Sequence, residues 1–385
     1  MQNFDFYNPT RICFGEGQIS KLNDLVPKKA KVLILLGGNS ARANGTLAEV
    51  ITALGEREFV EFNGIEPNPT FETLMKAVSE VKAHKVDFLL AVGGGSVIDG
   101  TKFVAAAALY EGDAWEIMTS FGGKVENAMP FGSVLTLPAT GSEMNSGSVV
   151  TKKSIKAKLP FMSPHVFPLF SILDPVKTYT LPERQIANGV VDAFVHTTEQ
   201  YLTYSVDAAI QDRFAEGILL TLIEQGPKAL ETPKNYDIRS NLMWAATSAL
   251  NGTIGAGVPH DWATHMIGHE LTALHDIDHA RTLAIVLPSL LRHTKVAKKD
   301  KLLQYAERVW NITSGSDDER IDAAIDKTQD FFESMGIKTR LSDYQLDETH
   351  IDVVIEQLKA HGMVALGEHQ NIDLVKSREI LVGAL

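Results

Sequence analysis

The chain has a single cysteine, Cys13, in 385 residues, which excludes an internal disulfide framework and any cysteine-rich metal site. Its setting, R-I-C-F-G, is strand-like and apolar, where a thiol is an inert core group rather than a nucleophile. Long hydrophobic runs are missing as well. No uninterrupted apolar stretch approaches the roughly twenty residues of a membrane span. The amino terminus, M-Q-N-F-D-F-Y-N-P-T, lacks the basic and apolar blocks of a secretory signal, so a cytoplasmic protein is expected. There is no basic surplus: 36 Lys and Arg stand against 48 Asp and Glu, a formal charge of −12. Neither nucleic acid nor an anionic membrane attracts such a chain. Repeats and low-complexity segments are absent.

What is present fits two domains, because the chain is too long for one ordinary core. In the first half, K-V-L-I-L-L at 31–36 and V-D-F-L-L-A-V at 86–92 are short apolar runs ending in glycines, the appearance of strands buried on both faces of a parallel sheet. Between them F-E-T-L-M-K-A-V-S-E-V at 71–81 has helical spacing, and G-S-V-L-T-L-P at 132–138 and L-F-S-I-L-D at 169–174 are further strand candidates. Strands separated by helices predict a doubly wound, Rossmann-like α/β domain. From Glu183 onward only helical periodicity remains, and D-P-V-K-T-Y-T-L-P at 174–182 supplies a boundary. The expectation is an α/β dinucleotide-binding domain over 1–182 and an all-helical metal-binding domain over 183–385, with ligands in the cleft between them.

V-G-G-G-S at 92–96 follows a predicted strand and opens a helix with a capping-box-like Ser96-Val97-Ile98-Asp99. Glycines admit an anion to the backbone N–H groups, and a helix start adds partial positive charge, so a pyrophosphate fits. The spacing is neither G-x-G-x-x-G nor a Walker A loop, and a tight strand-to-helix turn without a ligand is the alternative. At the end of the first strand, Gly37-Gly38-Asn39-Ser40 contains no acid to grip an adenosine ribose or repel a 2′-phosphate. With Ser40 as a donor and Arg42 as a charge, this corner favours NADP(H) over NAD(H). The plain alternative is a polar turn.

Asp192 and His196 are an i, i+4 pair on one predicted helix, and His265, His269 and His279 follow within one short segment. Residues at that spacing share a helical face, and imidazole plus carboxylate suits Zn²⁺ or Fe²⁺ better than Mg²⁺ or Ca²⁺. The metalloprotease pattern H-E-x-x-H is not met, since position 273 is Ala273. Five histidines cannot all bind one ion, so His260 and His275 are read as surface or supporting residues.

Taken together, G-G-G-S-V-I-D-G-T-K at 93–102, T-L-P-A-T-G-S-E at 136–143, N-G-V-V-D-A-F-V-H-T-T-E-Q-Y at 188–201 and H-M-I-G-H-E-L-T-A-L-H-D-I-D-H at 265–279 resemble the signatures of the iron-type, group III metal-dependent alcohol dehydrogenases. The resemblance covers the whole chain. G-I-E-P-N-P at 64–69, N-L-M-W-A-A-T-S-A-L-N-G at 241–252 and G-V-P-H-D-W-A-T-H at 257–265 are similar to its subgroup of YqhD-type NADPH-dependent aldehyde reductases, which are also described as butanol dehydrogenases. The resemblance implies the dehydroquinate synthase-like fold, with Asp192, His196, His265 and His279 as metal ligands and His269 as a non-ligating histidine near the reacting centre. It implies that Gly94, Gly95 and Ser96 hold the pyrophosphate, with Asp99 close to the cofactor. Thr136, Thr140, Ser142 and Lys158 would line the cofactor groove, and Gly37, Gly38 and Ser40 match the 2′-phosphate corner. Here Asn39 replaces a glycine of the subgroup, and Ala41 and Arg42 also differ. The implied metal is Zn²⁺, with Fe²⁺ second, and the implied assembly is a homodimer.

The expected reaction is reversible reduction of an aldehyde to a primary alcohol, with the metal polarising the carbonyl, the nicotinamide giving hydride and His269 handling the proton. A glycerol-dehydrogenase-like polyol enzyme of the same fold is one alternative, although no basic run flanks 188–200 or 257–280. A nucleotide- or metal-binding module without catalysis is the other.

Overall fold

The computed structural model describes residues 1–385. Eight strands form, β1 (Arg11–Phe14), β2 (Val32–Leu36), β3 (Phe59–Phe62), β4 (Phe88–Gly94), β5 (Phe131–Leu137), β6 (Gly147–Lys152), β7 (Ala157–Met162) and β8 (Phe170–Leu173). Six of them make a parallel sheet in the order β1-β8-β5-β4-β2-β3, and β6 and β7 pair as an antiparallel hairpin.

The apolar runs seen in the sequence are apolar because both sheet faces are covered. Leu33, Leu35, Leu89, Ala91 and Leu135 enter one core, which they share with Leu74 and Val78 of the helix Phe71–His84 and with Phe103 and Val104 of the helix Gly95–Ala107. Val32, Ile34, Leu36, Leu90, Val92 and Val134 enter the other, with Leu47 and Val50 of the helix Thr46–Leu54. Side chains alternate between faces along each strand, so neither set of positions can be polar. Cys13 lies in β1 and is buried, as its setting predicts.

One strand of the sheet, β3, and the hairpin were not anticipated. β3, with the sequence F-V-E-F, is a half-buried edge strand too short to show alternation. The hairpin strands contain Lys152, Lys158 and Pro160, residues that read against a strand.

The chain connects β2 to β3 at one sheet edge and then returns to β4 on the opposite side of β2. That reversal is a topological switch point, and ligands of doubly wound sheets bind outside the carboxyl ends of the strands there. The ends in question carry Gly37-Gly38 after β2 and Gly93-Gly94 closing β4, with Gly95 opening the next helix.

Packing divides the chain into two compact units, Tyr7–Pro182 with Pro233–Thr247, and Met1–Phe6 with Glu183–Thr232 and Ser248–Leu385. The first contains the sheet, and in the second every long element is a helix. Two segments depart from a division at 182/183, each for a local reason. Within the sheet unit, Trp244 packs edge-on against Phe14 at 6.0 Å between centroids, and the Thr247 hydroxyl donates to the Glu143 carboxylate. Within the helical unit, the Gln2 amide donates to the Gly257 carbonyl at 2.9 Å. No helix is long and apolar enough to cross a membrane.

Candidate active site

In the helical unit the helix Glu183–Tyr201 is buried along nearly its whole length, including Asp192, His196, Glu199 and Gln200. Buried polar groups need partners, so this helix presents a set of chemical demands to its neighbours. Asp192, His196 and Glu199 fall at i, i+4 and i+7, which places them on one face. That face meets the helix Ala263–His275, which carries His265 and His269, and the helix His279–Thr294, whose first residue is His279. The approach of His279 is fixed from the same buried helix: Arg184 Nε and Asn188 Nδ2 donate to Asp278 Oδ2 at 2.7 and 2.8 Å.

One ligand atom each from Asp192, His265 and His279 lies within 4.8 Å of the other two. His279 Nε2 is 3.7 Å from Asp192 Oδ1, His196 Nδ1 is 3.9 Å from Asp192 Oδ2, and the His196 and His265 rings stack at 4.6 Å. Asp192 Oδ1 is buried and accepts no hydrogen bond. A buried carboxylate oxygen without a donor is costly, and a divalent cation held by carboxylate and imidazole removes that cost. The donor set therefore fits a borderline ion such as zinc or iron. His269 is buried beside the group, with its ring 5.0 Å from that of His279 and 6.1 Å from that of His265.

The other histidines of the segment lie apart from this convergence. His260 accepts from Trp262 Nε1 at 3.2 Å and sits 2.9 Å from the Gly255 carbonyl, while His275 packs against the His350 ring at 5.4 Å. Sequence inspection missed Glu199. Its carboxylate pairs with His265 Nδ1 and accepts from the backbone N–H of Thr264 at 2.8 Å and of His265 at 3.3 Å. Burial pushes this carboxyl well up, and the neighbouring Asp261 adds to the rise. Helical spacing places Glu199 on the face of Asp192 and His196, but nothing local in the sequence marks His265 as its partner.

In the sheet unit the helix Gly95–Ala107 starts directly at the end of β4, with Gly94 as a cap residue that offers no side chain and no acid in the first turn. Its amide groups are open to an anion. Glycine is required here by crowding: a Cβ on Gly93 would lie 2.5 Å from Val97, and one on Gly95 would lie 2.3 Å from Thr140 Oγ1. Gly38, by contrast, faces open space.

The capping box expected from Ser96 and Asp99 does not form, because Asp99 is turned elsewhere. Its carboxylate accepts from Ser142 Oγ at 2.5 Å and from the Val149 N–H at 3.0 Å, while its carbonyl accepts from Ser148 Oγ at 2.8 Å. One turn on, the fully buried Lys102 donates to Asn145 Oδ1 at 2.8 Å and to the Gly147 carbonyl at 2.7 Å. Burial pushes this ammonium down to about 8 against the pull of Asp99 and Glu143, and burial pushes the carboxyls of Asp99 and Glu143 up. Asp99 and Lys102 thus pin segment 142–149 to the glycine-loop helix; Lys102 and Glu143 close two of the quoted signatures but were given no role there, and Asn145 lies outside them.

Thr140 Oγ1 accepts from the Ser142 N–H at 3.1 Å, Thr136 lies near the end of β5, and Lys158 on β7 donates to Asn68 Oδ1 at 2.8 Å. Asn39 and Ser40 begin the short helix Ser40–Ala43, and Asn39 gives no side-chain cap. Arg42, expected as a charge for this corner, is instead engaged by Glu61 on β3.

Residues 9–175 match the family described as iron-containing alcohol dehydrogenase, and residues 186–380 match the carboxy-terminal region of the Fe-containing alcohol dehydrogenase family. The chain is 61% identical to the NADPH-dependent aldehyde reductase YqhD of Escherichia coli K12, with all of both chains covered. It is 42% identical to a probable NADH-dependent butanol dehydrogenase of Bacillus subtilis, again over all of both chains. A crystal structure of E. coli YqhD superposes with a TM-score of 0.99 at 60% identity, covering 100% of this chain and 99% of that one. On sequence, fold and the grouping of Asp192, His265 and His279, the chain belongs to the iron-containing alcohol dehydrogenase family.

Proposed function

We propose that the protein reduces aldehydes to primary alcohols, reversibly, using NADPH and one divalent ion, with Zn²⁺ the first choice and Fe²⁺ the second. The observation that carries this is the donorless buried oxygen of Asp192 among converging imidazoles. The likeness to an NADPH-dependent aldehyde reductase supports the cofactor and the direction. The working form proposed is a cytoplasmic homodimer with an aldehyde or alcohol as its small-molecule partner. In each chain the sheet unit would bind the nucleotide and the helical unit the ion.

When bound, the ion would polarise the substrate carbonyl and the reduced nicotinamide would supply hydride. Asp192, His196, His265 and His279 hold the ion in this assignment; the first three are buried, which limits competition from bulk water on their side, and His279 is partly exposed. His269 carries the proton destined for the substrate oxygen, since imidazole exchanges protons near neutral pH. Gly94, Gly95 and Ser96 receive the pyrophosphate at the open helix start, and Asp99, Thr136, Thr140, Ser142 and Lys158 shape the groove beyond it.

Gly37, Gly38, Asn39 and Ser40 receive the 2′-phosphate. With Arg42 occupied by Glu61, selectivity for the phosphate falls on the backbone and hydroxyl donors of this corner and on the lack of an acid within it. Following NADPH and NADH consumption with butanal should show a strong preference for NADPH. Gly38→Asp should invert it, because the site has room for the side chain and a carboxylate there repels the phosphate. A fall in NADPH kcat/KM of about 10-fold or more is expected, with NADH spared, since one such repulsion is worth at least about 1.4 kcal/mol. Equal loss with both cofactors, or a wild-type preference for NADH, would remove the 2′-phosphate assignment.

A further inference from the structure

We infer that Glu199 is a positioning residue for the ion, acting through His265, and that Asp261 and Lys298 form the buried frame that holds it. This rests on the proposed role of His265 as a ligand.

The geometry is specific. Glu199 spends one carboxylate oxygen on two amides at the start of the helix Ala263–His275 and the other on His265 Nδ1. One side chain therefore fixes both where that helix begins and how the His265 ring is turned. With Nδ1 engaged by a carboxylate, Nε2 is the nitrogen this assignment gives to the ion. A carboxylate on the far nitrogen of a ligating imidazole sets its tautomer and raises its basicity.

The frame behind Glu199 is equally buried. The Asp261 N–H donates to the Glu199 carbonyl at 2.9 Å, and Asp261 Oδ1 accepts from the Ala263 N–H at 2.8 Å. Asp261 Oδ2 is 2.6 Å from Lys298 Nζ, which also binds Glu368 at 2.7 Å and donates to the Leu202 carbonyl at 2.7 Å. The side chains of Lys298, Asp261 and Glu368 are 2%, 3% and 4% exposed, so this is an interior assembly rather than a surface ion pair. It spans the end of the Asp192 helix and the start of the His265 helix. Between them Trp262 takes a left-handed backbone, φ 60°, which a side chain tolerates only when its surroundings impose it.

The test is the affinity of purified full-length protein for Zn²⁺, read by competition with a chromogenic chelator and independent of turnover. Glu199→Gln, similar in shape, should weaken binding by about 10- to 100-fold, the usual effect of removing such a partner. Glu199→Asp keeps the charge but withdraws it from the ring, and should also bind more weakly. In a His265→Ala background Glu199→Gln should add little, because its effect passes through that ring. Wild-type affinity in both Glu199 variants would overturn the inference, as would full additivity with His265→Ala. Failure of the wild-type protein to bind any divalent ion would instead overturn the metal site itself.

Discussion

Asp192→Asn should leave a folded protein that neither retains a stoichiometric divalent ion nor reduces aldehydes. The substitution preserves volume on a buried helix face but replaces the donorless carboxylate oxygen that creates the need for a cation. It also discharges the group that His279 Nε2 and His196 Nδ1 approach at 3.7 and 3.9 Å. Lewis-acid activation of a carbonyl is worth several kcal/mol, so kcat/KM should fall by about 10³-fold or more. Metal analysis of the dialysed variant beside steady-state kinetics checks both halves. Because the removed carboxylate is a desolvated charge, the metal-free variant should melt no lower than the metal-free parent. Retention of metal and activity by Asp192→Asn would show that the ion, if any, is held elsewhere.

Gly95→Ala should disable cofactor binding through packing rather than charge. The added methyl would lie 2.3 Å from Thr140 Oγ1, 2.5 Å from its Cγ2 and 3.0 Å from its Cβ. Thr140 cannot simply swing aside, because it is short, β-branched and accepts from the Ser142 N–H. The loop after β5 must therefore move away from the glycine-loop helix, pulling against the Asp99 and Lys102 contacts that pin the following segment. Overpacking of this kind costs about 1–3 kcal/mol, and the NADPH KM should rise by about 10-fold or more. Fluorescence titration with NADPH and thermal melting separate the two effects. An unchanged NADPH affinity would mean that the anion does not sit at this helix start.

How much of this was legible beforehand follows from the physics of each signal. β2, β4, β5 and β8 were visible because a strand buried on both faces must be apolar throughout, and the glycine loop at the end of β4 was visible because the crowding at Gly93 and Gly95 admits no side chain. The Asp192 helix face was visible because helical spacing fixes which residues are neighbours. What stayed hidden depends on contacts distant in sequence. Glu199 becomes meaningful only when His265, sixty-six residues away, lies against it. Lys102 takes its meaning from Asn145 and the Gly147 carbonyl, both more than forty residues away, which accept from its buried ammonium. Ser96 and Asp99 showed the limit of a local pattern: capping-box spacing was present, but Ser142 and the Val149 amide competed for the carboxylate and won. Arg42 likewise answered to Glu61 across the sheet edge and not to the corner beside it in sequence.

The most direct test of the whole account is NADPH oxidation with butanal by protein stripped of metal with a chelator, then supplied with Zn²⁺ or Fe²⁺ one at a time. The account predicts loss of turnover on stripping, recovery with one equivalent of the proper ion, and NADPH well ahead of NADH throughout. Undiminished turnover by protein shown to be metal-free would contradict it.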